Sequence, residues 1–373
     1  MHIRLDRSGS LEGVRDALAE VGAGPGVGTL LLLACDADGH TPATLDPVLR
    51  AAPHPVIGGV FPQIIHGREP LSRGSIVVGL PTAARCHVVR DISRGETRLD
   101  EALVAAVDVT RPGGLVLTVA DAFATRLADL VRALFAEHGL EHNYLGGGAG
   151  SLSMQPSPCV ITPEGLLQDA AVFAQFDVPS GVGVAHGWSV ISEPLKVTRA
   201  HGTVIEELNY EPALEVYRRV VEPRAGRSIT SEHFFDIAKA YPFGIRKMDA
   251  EVVVRDPIAI ASPSALRCIG DVPSGSFVHI LRGDDVALVA AARTAAARAT
   301  DSWTAARPPA IRVVVDCISR ALFLDTRFGT ELEALGDGPP TVGALTLGEI
   351  ANSGRDFLEL YNKTIVVGLL ADG

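Results

Sequence analysis

The chain lacks any apolar run approaching the roughly 18 residues that span a bilayer. Its opening segment, MHIRLDRSGSLEGVRDALAE, scatters charge where a signal segment would hold an apolar core, so export is not expected and the cytoplasm is the expected location. It also lacks paired cysteines. The five present, Cys35, Cys86, Cys159, Cys268 and Cys317, are odd in number, far apart and without a C-x-x-C spacing, which points away from a zinc site or a disulfide framework. Positive charge is short as well. A net charge of −11 and a pI near 5.5 exclude a nucleic-acid backbone or an anionic membrane as the main partner. No catalytic triad or cofactor motif is present, and no cofactor is expected. What is there is a chain of 373 residues, 47% hydrophobic with a mean hydropathy of +0.24, enough for a large core and two domains.

The strongest pattern is an internal repeat. From Gly28 the chain reads GTLLLLACDADGH, TLDPVLRAA, PVIGGVFPQIIHG and GSIVVGL. From Gly113 it reads GGLVLTVADAFAT, RLADLVRALFAEHG, NYLGGGAGSLSM and DAAVFAQF, and near the C-terminus AIRVVVDCISRAL, FGTELEALG, PTVGALTLGEI and NKTIVVGLL. Each predicts strand, helix, glycine-marked strand, apolar strand. The first strand of each is a continuous β-branched and leucine run, the mark of burial on both faces. In the second unit Leu127, Leu130, Val131 and Leu134 fall on one helix face. The glycines, Gly58-Gly59, Gly147-Gly148 and Gly343, follow a helix and open a strand. A phosphate cradle has the reverse polarity, so close backbone approach is the plainer reading, with a ligand against bare backbone at Gly147 and Gly148 as the alternative.

Elsewhere, 177–205 predicts a strand pair, EPALEVYRRVV a helix with Pro212 in its first turn, and Thr230 or Ser231 the cap of a helix through Ala240. From Asp249 three strands follow, AEVVVRDPIAIAS, ALRCIGD and SFVHIL, then the helix DDVALVAAARTAAARAT. The expected fold is mixed α/β and α+β, with repeated units, sheets covered by helices and sheets packed face to face. The main boundary is expected near Glu222–Ser231.

These segments together resemble the FIST proteins (F-box and intracellular signal transduction). The amino-terminal likeness rests on PVIGGVFPQIIHG, YLGGGAG, GVGVAHGWSV and VTRAHGTVIEELNYEPALEVY. The carboxy-terminal likeness rests on VVVRDPIAI, GSFVHIL, VVVDCISRALFL, ELEAL, VGALTLGEI and YNKTIVVGLL. The family's Cys-x-x-Arg falls on Cys317 and Arg320, its Gly-Glu-Ile on Gly348, Glu349 and Ile350, and its Asn-x-Thr on Asn362 and Thr364. Tyr361 stands where the family often has His. The resemblance implies two subdomains, expected at 1–225 and 226–373. It also implies a sensory role for small ligands, amino acids among those proposed, in bacterial signalling chains. An output partner is then expected to be a separate polypeptide.

Among chemical candidates, Cys317 ends a strand with Arg320 three residues on, which would favour a thiolate; the alternative is a buried cysteine filling space. A cysteine-dependent enzyme or redox protein built on Cys317 is the rival to a non-catalytic sensor, and an interaction scaffold is the third possibility. The sequence places no base beside Cys317. His186 and His201 lie in matched motifs and read as turn or strand-edge residues. His138 and His142 have a helical zinc spacing, but Gly139 lies between them and no third ligand is near, so no metal is expected. Arg320, Glu349 and Asn362 form the best ligand set. Arg320 would grip a carboxylate, Glu349 would receive an ammonium and Asn362 would orient the molecule, with Arg255 as a second carboxylate contact. Equally open is a structural network, since a carboxylate in an apolar strand needs a partner.

Overall fold

The computed structural model describes residues 1–246, 252–352 and 357–372. The three repeats build three six-stranded sheets with one shared strand order. The first runs Ile3–Asp6, Ser75–Leu80, Thr29–Cys35, Val56–Phe61, Val160–Thr162, Gly165–Leu167. The second runs Arg85–Arg90, Ala170–Phe176, Leu115–Asp121, Asn143–Ala149, Glu349–Asn352, Leu358–Tyr361. The third runs Ser180–Ala185, Ile365–Leu370, Ile311–Cys317, Thr341–Thr346, Gln63–His66, Glu69–Leu71. In each, the third and fourth strands are parallel and joined through helix, and the other pairings are antiparallel.

The outer two strands of every sheet are a hairpin lent by another repeat. The hairpin 63–71 of the first unit completes the third sheet, 160–167 of the second completes the first, and 349–361 of the third completes the second. The exchange closes a ring with pseudo-three-fold symmetry. The helices of each unit lie outside its sheet, and the inner faces meet on the axis. There Leu31, Leu117 and Val313 hold equivalent positions, as do Leu33, Val119 and Val315, around a residual space of about 40 Å³. The sheets thus enclose a common core, the three-sided form of the expected face-to-face packing.

The recurring glycine has a single steric cause. Gly58, Gly146 and Gly343 pair with Leu32, Thr118 and Val314 of the adjacent parallel strand. A Cβ on them would stand 1.9, 1.7 and 2.1 Å from those residues' carbonyl oxygens. Packing, not phosphate, selects glycine there.

The expected strand pair at 177–205 is not a pair. Ser180–Ala185 joins the third sheet, whereas Ser189–Val190 and Leu195–His201 belong to a separate body inserted between this strand and the helix Asp285–Asp301. That body is a closed antiparallel barrel. Its six strands are Leu195–His201, Val204–Leu208, Ala265–Ile269, Val252–Ser262, Phe243–Arg246 and Phe277–Arg282, the last pairing back to the first. The expected start of the strand at Asp249 lies outside the described residues. Helix Ala213–Ala225 buries Tyr217 against Phe234 and Phe243 in the barrel's own core. Residue 226 follows that helix within the insertion, and the third sheet draws strands from both sides of it. Among the described residues no helix is long and apolar enough to cross a membrane.

Gly146→Ala should lower unfolding free energy by about 3 kcal/mol or more, because the backbone on both sides is fixed by sheet pairing. Urea denaturation measures it. A loss within about 0.5 kcal/mol, the usual range of a surface change, would show that the strands can part to admit a methyl group.

Candidate functional site

The ring and the barrel enclose a cleft of about 520 Å³. The ring supplies Phe123, Thr125, Leu127 and Ala128, at the C-terminal end of strand Leu115–Asp121 and the start of helix Leu127–His138, together with Leu347, Leu360 and Asn362. The barrel supplies the hairpin His201–Val204 and the segment Arg267–Asp271. Most of the wall is apolar, with a few polar groups converging, the usual make-up of a small-molecule site.

Asn362 is the group that stands out. It is 1% exposed, lines the cleft, and its Oδ1 meets no hydrogen-bond donor among the described residues. Such an orphaned carbonyl costs about 1–3 kcal/mol unless a bound molecule donates to it. Gly270 gives it room: a Cβ there would lie 3.2 Å from Oδ1 and 3.0 Å from Arg255 Cδ, and its φ of +79° favours glycine. The first turn of Leu127–His138 turns the positive end of that helix's dipole toward the cleft, and Arg267 and His201 stand on the facing wall. Asp271 adds one negative charge, 3.7 Å from Arg132.

Arg320, expected to pair with Glu349 over a common cavity, is placed otherwise. It is fully buried, and its guanidinium is taken up by the protein: Nε and Nη2 bond Glu331, Nη1 bonds the carbonyls of His186 and Lys363, and Nη2 also bonds that of Leu288. Asp316 lies 3.2 Å from Nε. The partner is Glu331 because the helices Ile318–Leu324 and Phe328–Ala334 fold its side chain back over the arginine. Burial, and then Glu331, holds the Asp316 carboxyl well above the usual range, while Arg320 pulls it down.

Glu349 is also fully buried. It accepts a 3.0 Å bond from the Thr346 hydroxyl and a 3.2 Å bond from the Thr364 amide. Burial outweighs these bonds and lifts its carboxyl to about 8. Cys317 is buried too, and burial followed by the nearby Glu349 pushes its thiol well up, away from the thiolate a nucleophile needs. Arg255 clamps the barrel to the ring, bonding the carbonyls of Asp271, Val254 and Leu360 and the Glu359 carboxylate at 3.0–3.2 Å. Gly147 and Gly148 face the turn of the third unit: the Gly148 amide bonds the Gly348 carbonyl at 2.8 Å, and the Gly148 carbonyl accepts from Leu347. His138 and His142 are buried, the former bonding the Leu103 carbonyl at 2.7 Å, and no group of three or more metal-binding side chains occurs among the described residues.

Of the expected ligand set, Asn362 alone lines the cleft. Sequence patterns passed over Arg267, Gly270 and the Phe123–Ala128 loop. Gly270, in ALRCIGD, carried the one usable signal, a glycine closing a strand.

Beneath the cleft wall runs a second buried pair. Lys363 Nζ lies 3.1 Å from Asp256, which also accepts from the Ser319 hydroxyl at 2.6 Å. Lys363 Nζ further bonds the Lys239 carbonyl at 2.9 Å and lies 4.9 Å from the centre of the Trp188 ring.

Two family models match the chain, one described as the FIST N domain over residues 29–211 and one as the FIST C domain over residues 213–352. The border between them falls inside the inserted barrel. No curated protein matches the chain.

The raised carboxyl of Glu349 sets a pH dependence. Between its ordinary 4.5 and about 8 the folded chain holds a proton there that the unfolded chain has lost. This contribution to stability is therefore full below 4.5 and declines as pH rises through about 8, with a slope of at most about 1.4 kcal/mol per pH unit. Glu349→Gln, which keeps the shape, should flatten that limb in urea denaturation at stepped pH. An unaltered limb in the variant would mean that Glu349 is already ionised at neutral pH.

Proposed function

The chain belongs to the FIST family, whose domains are associated with signal transduction and sensing, and we propose that it senses a small polar ligand, specifically a free amino acid, held in the cleft between ring and barrel. The observation that carries this is the buried, unpartnered Oδ1 of Asn362 on the wall of a cleft large enough for such a molecule. An ammonium group would donate to Oδ1. The carboxylate would lie toward the first turn of Leu127–His138 with Arg267 opposite, and the side chain would rest on Phe123, Leu347 and Leu360. Binding needs no catalysis, and the message passes to a separate signalling protein. The amino-acid reading moves from the Arg320 and Glu349 pair to Asn362, because Arg320 has committed its guanidinium inside the protein.

A thermal-shift screen of the full chain with the proteinogenic L-amino acids tests the proposal. At 100 times its dissociation constant a true ligand stabilises by about 2.7 kcal/mol. Asn362→Leu should abolish the shift, and Arg267→Ala should weaken binding roughly tenfold or less, the effect of an exposed charge. A shift that survives Asn362→Leu, or no shift with any amino acid, would remove the amino-acid reading.

A further inference from the structure

We infer that the turn Tyr361–Thr364 is the output lever of this cleft, converting occupancy at Asn362 into a change in how the barrel is held on the ring; this rests on the cleft being the ligand site. The chain passes between ring and barrel through residues 186–188 on entry and 283–284 on exit. Both are tied to one place. Arg320 bonds the carbonyl of His186 on the first and of Leu288, just beyond the second, at the start of the returning helix. The same guanidinium bonds the Lys363 carbonyl, and that carbonyl also accepts the indole N–H of Trp188 at 2.9 Å. Both linkers thus converge on Arg320, and the Lys363 carbonyl, bonded by that arginine and by Trp188 of the first linker, is the turn's link to them; its neighbour is Asn362.

Lys363 is also strained. Its φ is +54°, a left-handed conformation disfavoured for a side chain of its type. It is held there by its carbonyl, bonded by Arg320 and Trp188, and by its ammonium, bonded to Asp256 and to the Lys239 carbonyl, both on the barrel. The turn therefore has a strained state fastened to the barrel and a relaxed extended state available when the fastening loosens. A ligand donating to Asn362 Oδ1 holds the Asn362 side chain and with it the short turn through Lys363, in which the Asn362 backbone carbonyl accepts the Thr364 hydroxyl. The next peptide of that turn carries the Lys363 carbonyl that Arg320 and Trp188 share, so fixing the turn biases that carbonyl. The coupling runs through three bonded residues and requires no displacement of the ring's core.

The test needs no ligand. The chain has two tryptophans, so Trp303→Phe leaves Trp188 as the sole reporter. In that full-length background Asn362→Asp, which places a charge at the buried oxygen, should shift Trp188 emission to the red. It should also speed amide hydrogen exchange at 186–189 and 283–288 about tenfold or more. Asn362→Ser is the milder variant should the aspartate prevent folding. Lys363→Met, which removes the anchors to Asp256 and Lys239, should loosen the same linkers, and the double variant should add little to either single one. Faster exchange confined to 360–364, with Trp188 emission unchanged, would overturn the inference. So would full additivity of Asn362→Asp and Lys363→Met. The two proposals fail separately. Linker loosening without any amino-acid thermal shift leaves the lever and removes the ligand assignment, whereas a thermal shift with unmoved linkers does the reverse.

Discussion

The rest of the molecule is arranged around one buried guanidinium. Arg320 has no exposed surface, and an unpaired charge in that position would be untenable, so the chain surrounds it with Glu331, Asp316 and three backbone carbonyls. Such a cluster adds little net stability over well-packed apolar side chains, but it is demanding about geometry. The carbonyls of His186, Leu288 and Lys363 must arrive together, which fixes where the barrel leaves the ring and where it returns. Burial and then Glu331 push the Asp316 carboxyl toward its neutral form, which lowers the negative charge gathered around the one cation.

The ring that hosts this cluster is closed by exchange. Each unit of strand, helix and strand leaves an open sheet edge, and each covers its neighbour's edge with a hairpin. The exchange is cyclic over the three units, and no unit holds a complete sheet without another. The barrel sits in the connection between the first strand and first helix of the third unit. The corresponding helices of the other two units, Leu11–Gly22 and Leu99–Leu103, follow their strands with only short connections. The added barrel is what gives a symmetric ring a cleft on one side.

Much of this was legible in the sequence. The continuous apolar runs LLLLAC, LVLTVAD and VVVDC announced doubly buried strands, and the glycine in each following strand announced a close approach that the Thr118–Gly146 pairing explains. The hairpin exchange was not legible, because periodicity reports which face a strand buries and not whose sheet it joins. For the same reason Ser180–Ala185 and Leu195–His201 looked like partners although they lie in different bodies. Burial of Arg320 and Glu349 could be anticipated from the apolar strands around them. Their partners could not, since Glu331 reaches Arg320 through the angle between two short helices. The cleft draws on six stretches of chain, from Ala122 to Asn362, so only its most unusual member, an asparagine next to an apolar strand, was visible in advance.

The cleft is therefore best understood as a product of the insertion: barrel residues supply one wall, ring residues the other, and Asn362 projects between them from the turn that also fastens the two bodies. The central claim is that this asparagine carbonyl is kept unpaired for a ligand. Crystals soaked in a mixture of L-amino acids examine it most directly. The account predicts density for a small molecule in the cleft, with a nitrogen about 2.7–3.2 Å from Asn362 Oδ1 and a carboxylate near the first turn of Leu127–His138. Density bound elsewhere, or an Asn362 Oδ1 satisfied by a protein donor with the cleft holding solvent alone, would contradict it.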